Sequence, residues 1–143
     1  MDKFYQKKKL SFTTKELFDI VIDVESYPLF LPWCTSAEVV NRKDLYNFDA
    51  ILTVGHKTIN ESYTSKVEST YLKKIKSTAI EGPFSVLESI WLFKDYEDIC
   101  EIEFSIQYQF KSFFLGKVMG SLFKKASEKM FHAFESRAND LYR

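Results

Sequence analysis

From Cys100 to Phe110 apolar and polar positions alternate without a break. Cys100, Ile102, Phe104, Ile106, Tyr108 and Phe110 share one side, and Glu101, Glu103, Ser105, Gln107 and Gln109 the other. This period of two predicts a strand with one buried face and one wet face, as an antiparallel sheet allows. The same period runs through Tyr46, Phe48, Ala50, Leu52 and Val54, and again through Ile59, Glu61, Tyr63, Ser65 and Val67. A first strand reads at 3–12, with Phe4, Gln6, Lys8, Leu10 and Phe12 on one side. Residues 72–80 read as a lysine-bearing strand exposed on one face, Gly82-Pro83 as a turn, and 87–93 as a further strand.

Two segments change to helical spacing. Thr13 or Thr14 can cap a helix reaching about Asp23, with Leu17, Phe18, Val21 and Ile22 on one face. After Ser112, the positions Leu115, Val118, Met119, Leu122, Phe123, Ala126, Met130, Ala133, Phe134 and Leu141 recur mostly three or four apart. They predict an amphipathic helix of roughly thirty residues, about 45 Å long. Its apolar stripe needs a partner, and the concave face of the sheet is the surface available. The predicted fold is α+β of the helix-grip kind. A curved antiparallel sheet of about six or seven strands wraps around the long C-terminal helix, and two short helices follow the first strand. No linker or repeat divides the chain, so residues 1–143 are expected to form one domain.

The segment Tyr27-Pro28-Leu29-Phe30-Leu31-Pro32-Trp33-Cys34 fits neither period. Its two prolines forbid one continuous helix and leave a stiff, apolar connection. Connections on a water-facing surface are ordinarily polar. This one is expected either to cap the core or to form the wall of an apolar pocket.

Composition sharpens the second possibility. Fourteen Phe, eight Tyr and two Trp make 17% of the 143 residues aromatic, enough ring volume to line a cavity or fill a large core. Twenty basic and twenty acidic residues cancel, which gives no support to DNA binding. No stretch has the ~18 consecutive apolar residues of a membrane span, and the N-terminus lacks the apolar core of a signal peptide. Cys34 and Cys100 are expected to be buried free thiols in a reducing compartment.

A search for chemistry finds no catalytic or metal-binding pattern. His56 and His132 are remote from each other; HExxH, CxxC, GxSxG and phosphate-binding glycine patterns are absent. Gly116 and Gly120 form a GxxxG in a helix too charged to span a bilayer. That pair suggests close approach to the sheet or a yielding helix start. Phe113, Phe114 and Leu115, beside Lys111 and Lys117, are either buried or able to enter a membrane interface.

The ordered residues Phe18, Asp23-Val24-Glu25, Tyr27-Pro28-x-Phe30-Leu31-Pro32-Trp33-Cys34, Thr53-Val54-Gly55, Tyr63-Thr64-Ser65-x-Val67, Gly82-Pro83-Phe84 with Leu87, Trp91-x-Phe93 and Ala133-Phe134-Glu135-x-Arg137-Ala138 with Leu141-Tyr142 resemble those of the coenzyme Q-binding START-like proteins. These belong to the wider polyketide-cyclase and lipid-transport group, whose fold is START- or Bet v-like. Its bacterial branch includes a ribosome-association toxin. One departure is Phe113-Phe114-Leu115 before Gly116, where the family is more mixed.

The resemblance implies non-catalytic binding of ubiquinone, or a related polyprenyl quinone or other hydrophobic small molecule, in support of respiratory electron transport. The quinone is then a ligand, and no cofactor or metal is implied. Ligand-binding positions are expected at Tyr27, Phe30, Leu31 and Trp33, and on the sheet at Tyr63, Trp91, Phe93, Phe104, Ile106 and Tyr108. The helix side is expected to offer Val118, Met119, Leu122, Phe123 and Met130. Tyrosine hydroxyls and the Trp33 indole can donate to quinone carbonyls, which only accept. The implied location is cytoplasmic, with peripheral contact at the inner face of the respiratory membrane.

Two alternatives carry other expectations. A toxin-like role on the large ribosomal subunit would want a contiguous basic face, which Lys7, Lys8 and Lys9 with Lys73, Lys74 and Lys76 supply if their strands are neighbours. A polyketide cyclase or aromatase would want an acid or base in the cavity, from Tyr63, Glu61 or His56.

Overall fold

The structure, a computed structural model, describes residues 1–56 and 58–143, with His56 described in its backbone alone. Seven strands form one antiparallel sheet: β1 (Asp2–Leu10), β2 (Cys34–Val40), β3 (Asn47–His56), β4 (Ile59–Thr70), β5 (Lys74–Glu81), β6 (Phe84–Tyr96) and β7 (Ile99–Phe110). Their spatial order is β1-β7-β6-β5-β4-β3-β2. Strands β2 to β7 follow one another as a meander, while β1 pairs with β7, Asp2 opposite Tyr108 and Leu10 opposite Cys100. The sheet thus has open edges at β1 and β2, and the helices cover its inner face.

The first helix, α1 (Thr14–Ile22), begins at a capping box. Thr13 Oγ1 accepts from the Glu16 amide at 3.1 Å, and Glu16 Oε1 accepts from the Thr13 amide at 2.9 Å. It sinks Leu17, Phe18 and Val21 into the core, with Phe18 fully buried. The proline-bounded run then divides. A 3-10 turn (Val24–Leu29) carries Pro28, and the chain enters β2 at Cys34. The Tyr27 hydroxyl donates back to the Val21 carbonyl and ties this turn to α1.

The last helix, α2 (Phe113–Tyr142), is 30 residues long and starts where Ser112 Oγ accepts from the Leu115 amide. Met119, Phe123, Ala126, Ser127, Phe131, Phe134 and Ala138 are its buried positions. Leu141, which the periodicity puts on the apolar stripe, is instead 49% exposed. The helix crosses the inner face in two aromatic groups. Phe123 meets Phe84, Tyr108 and Phe110, whereas Phe131 and Phe134 meet Trp91.

A break in the ladder shapes the sheet near its middle. Thr64 lies opposite Glu81 but Ser65 opposite Ala79, so Ile80 is an extra residue in β5. Gly82 follows at φ +131, with a would-be Cβ only 2.6 Å from Cβ of Tyr63. Only glycine meets both demands. Close packing at Gly116 and Gly120 does not occur: a Cβ at Gly116 would touch Phe110 at an ordinary 3.8 Å, and nothing lies within 4 Å of one at Gly120.

Candidate functional site

Between α2 and the centre of the sheet lies a cavity of about 110 Å³. Three groups of residues enclose it. The turn and its flanks supply Val21, Val24, Tyr27, Leu31, Trp33 and Cys34; the helix supplies Phe123, Ala126, Ser127, Met130 and Phe134. The sheet supplies Leu52 from β3, Tyr63, Ser65 and Val67 from β4, Ile75 and Ser77 from β5, Leu87, Ser89 and Trp91 from β6, and Phe104 and Ile106 from β7. Among the described residues no charged side chain stands in this lining. The cavity forms because α2 packs toward β7 and β1, while the middle strands carry serines where large side chains would otherwise meet the helix.

The structure brings together Tyr27, Leu31, Trp33, Tyr63, Trp91, Phe104, Ile106, Phe123 and Met130 of the expected positions. The others pack elsewhere. Phe30 lies edge-on to Tyr27 and to Phe134 at 5.1 Å, outside the lining. Phe93 shares a strand face with Trp91 but is covered by Phe18 of α1 at 5.4 Å. Tyr108 belongs to the cluster with Phe110 and Phe123. Met119 is fully buried away from the cavity, and Val118 and Leu122 are half-buried on the same helix flank. One cause serves all three: the part of α2 facing the cavity begins at Phe123.

Positions unforeseen from the sequence are mostly small or aliphatic. Ser65, Ser77 and Ser89 are the clearest. Each sits on the inward period of its strand, between Tyr63 and Val67, after Ile75, and between Leu87 and Trp91, and that phase was the available signal.

The polar atoms of the lining remain neutral. Burial raises the Cys34 thiol to about 11, against a smaller opposing pull from a backbone hydrogen bond at Ser36. Burial also pushes the Tyr63 and Tyr27 hydroxyls above their ordinary range, with Cys34 adding to both and Tyr63 adding to Tyr27. Ser127 Oγ donates to the Phe123 carbonyl at 2.8 Å. Glu61 does not line the cavity, and the side chain of His56 lies outside the described residues. Among the described residues no group of three or more His, Cys, Asp or Glu is placed to hold a metal ion.

Outside the cavity, Phe113 and Phe114 at the start of α2 are 81% and 71% exposed, and only Leu115 of that trio is half-buried. Lys117 Nζ lies 4.9 Å from the Phe113 ring centre. The lysines of β1 and β5 do not make the contiguous basic face that neighbouring strands would give. β7 and β6 intervene, and Lys7, Lys8 and Lys76 meet Glu103, Glu135 and Glu88 at 3.8, 3.2 and 3.8 Å. Among the described residues no helix is long and apolar enough to cross a membrane.

Comparison with known proteins agrees with this architecture. Residues 10–135 match the family described as polyketide cyclase / dehydrase and lipid transport. A ribosome association toxin of Rickettsia prowazekii is 38% identical over 99% of both chains. A mitochondrial coenzyme Q-binding protein of Dictyostelium discoideum is 36% identical over 94% of this chain and 68% of its own length. Among solved structures, a START superfamily protein from Mycobacterium smegmatis superposes with a TM-score of 0.82 at 17% identity, covering 97% of this chain and 98% of that one. That likeness fixes the fold as START-like.

Proposed function

This chain belongs to the polyketide cyclase / dehydrase and lipid transport family, and from that premise we propose that it binds the head of ubiquinone or a related polyprenyl quinone without transforming it, in support of respiratory electron transport. The observation that carries this reading is the uncharged, aromatic-walled cavity between sheet and helix. The family's description includes lipid transport, and relatives at similar identity include a coenzyme Q-binding protein.

Size limits how much of such a ligand enters. A cavity site of about 10–15 Å³ accommodates one water, so the 110 Å³ here holds roughly seven to eleven waters, the room of a single substituted ring. Each isoprenoid CH₂ left in water costs about 0.8 kcal/mol, so the tail must stay in lipid while the head is held. The protein therefore works docked at a bilayer. Exposed Phe113 and Phe114, with Lys111 and Lys117 beside them, are suited to the interface of an anionic membrane. Residues 1–143 act together as one binding unit in this reading, at the cytoplasmic side of the respiratory membrane. Mass spectrometry of the organic extract of protein purified from respiring cells tests it. A quinone in stoichiometric amount is expected; a quinone-free extract together with no binding to quinone-loaded vesicles refutes it.

A second reading has one specific observation in its favour, the full-length 38% identity to a ribosome association toxin. Under it the protein binds the large ribosomal subunit. Salt-sensitive co-sedimentation with that subunit is its expected signature, and equal sedimentation with and without subunits removes it.

A further inference from the structure

The middle of the sheet carries a feature that an apolar-ligand pocket does not require. On β4, β5 and β6 the inward positions read Tyr63-Ser65-Val67, Ile75-Ser77 and Leu87-Ser89-Trp91, so one hydroxyl interrupts each apolar row. Ser77 and Ser89 are directly paired across β5 and β6, which puts their Cβ atoms about 5 Å apart. Ser65 lies one diagonal step away, since Val67 faces Ser77 and Ala79 faces Ser65, at roughly 7–8 Å.

These hydroxyls are unengaged. Of the four serines in the lining, Ser127 gives its hydrogen to the Phe123 carbonyl; the other three have no side-chain hydrogen bond to protein among the described residues. Ser65 is only 4% exposed, yet its side chain borders the cavity. Buried hydroxyls without a partner are destabilising, and valine in a strand would pack better. Ser77 and Ser89 are half-buried, and all three serines border the open space of the cavity, where their hydroxyls can meet an acceptor that enters it.

The surroundings narrow the chemistry of that acceptor. Among the described residues no Lys, Arg or His stands in the lining, so a phosphate or carboxylate would meet no opposite charge there. Trp91 and Phe104, their rings 4.5 Å apart at the centres, border the same end and offer flat apolar surface. Tyr27 and Trp33 of the turn also border the cavity and are half-buried, less covered than Trp91 and Phe104.

We propose that Ser65, Ser77 and Ser89 form a hydroxyl floor that receives an uncharged ring bearing carbonyl oxygens, head first, with its tail leaving past Tyr27 and Trp33. The assignment rests on the quinone-binding reading above and adds to it the orientation and the residues that tell a ring with carbonyls from one without. Anionic lipids are excluded from the floor by the same geometry.

Calorimetric titration with two matched compounds tests it: a decyl-substituted dimethoxy-methyl-benzoquinone, and decyl-dimethoxytoluene, which has the same ring and chain without the carbonyls. The wild-type protein is expected to bind the quinone about thirty-fold more tightly, the worth of two neutral hydrogen bonds. In Ser65→Ala/Ser77→Ala/Ser89→Ala that preference falls to within about threefold, while the carbonyl-free compound binds as before. If the triple variant does not fold, Ser77→Ala/Ser89→Ala is used, and the preference is then expected near fivefold. A preference that survives the substitutions, or is missing from the wild type, overturns the hydroxyl floor and leaves quinone binding standing. A wild-type protein that binds neither compound overturns both.

Discussion

Replacing Ser89 by leucine asks whether the cavity is vacant in the unliganded protein. Ser89 stands on β6 opposite Ser77 and Ile106, with its side chain on the cavity. Leucine removes a hydroxyl that has no protein partner among the described residues and adds three carbon atoms where about 110 Å³ is free. Burying a leucine side chain contributes about 1.5–3 kcal/mol, and fixing its rotamer costs about 0.5–1 kcal/mol. The net gain is about 1–2 kcal/mol, which raises the melting temperature by roughly 4–8 °C in a chain of this size. The same side chain takes the space of the ring, so quinone binding is expected to be lost. Urea unfolding at constant m-value measures the first effect, and the decyl-quinone titration the second. Forcing a leucine into a filled interior has the opposite sign, a loss of about 1–3 kcal/mol. Destabilisation of that size refutes the vacant cavity. A stabilised variant that still binds quinone at full affinity puts the ligand elsewhere.

Three further outcomes are expected. Gly82→Ala sets a Cβ 2.6 Å from Cβ of Tyr63 at a φ of +131, and a loss of about 2–4 kcal/mol in urea unfolding is expected; a loss under 1 kcal/mol contradicts the tight β5–β6 turn. Cys34 rises from 9.0 to about 11 on folding, so its contribution is complete below pH 9 and declines as pH climbs toward 11. About 2–3 kcal/mol is lost across that window, Tyr27 and Tyr63 act in the same direction at higher pH, and Cys34→Ala flattens the slope of stability against pH. Phe113→Ser/Phe114→Ser is expected to reduce co-sedimentation with anionic vesicles more than tenfold while unfolding within about 0.5 kcal/mol of the parent; unchanged vesicle binding removes this face as the membrane contact.

The elements were legible wherever one physical demand governed them. The alternation of β7 fixes its buried face because Cys100, Ile102, Phe104, Ile106 and Tyr108 have no other surface to meet, and all are at most 8% exposed. Ser112 was readable as a cap because its side chain satisfies an amide at the start of α2. The lining was harder. Trp91 and Phe93 are indistinguishable by period, and only the position of Phe18 on α1 decides that Phe93 is covered and Trp91 is not. The α2 positions failed for a related reason: spacing gives the apolar stripe but not where along it the helix lifts from the sheet. The serines were passed over because a search for apolar alternation counts them as interruptions, whereas here they make the space. Phe113 and Phe114 read equally well as buried or exposed, since burial of a helix's first turn depends on what happens to lie beneath it.

The long helix is held like a bowstring. At its start the chain is fastened to the sheet through the Lys111 amide and the Pro83 carbonyl at 2.9 Å; at its end the Tyr142 hydroxyl donates to the Glu16 carbonyl at 3.4 Å and Arg143 to that of Ser11. Between these fastenings only side chains grip the strands, so the span around Ala126 and Met130 can bow outward without breaking a single rung of the ladder. Capacity is thereby separated from the stability of the sheet. Substitutions along one short stretch of helix can then resize the chamber for a new guest while the scaffold beneath stays as it is.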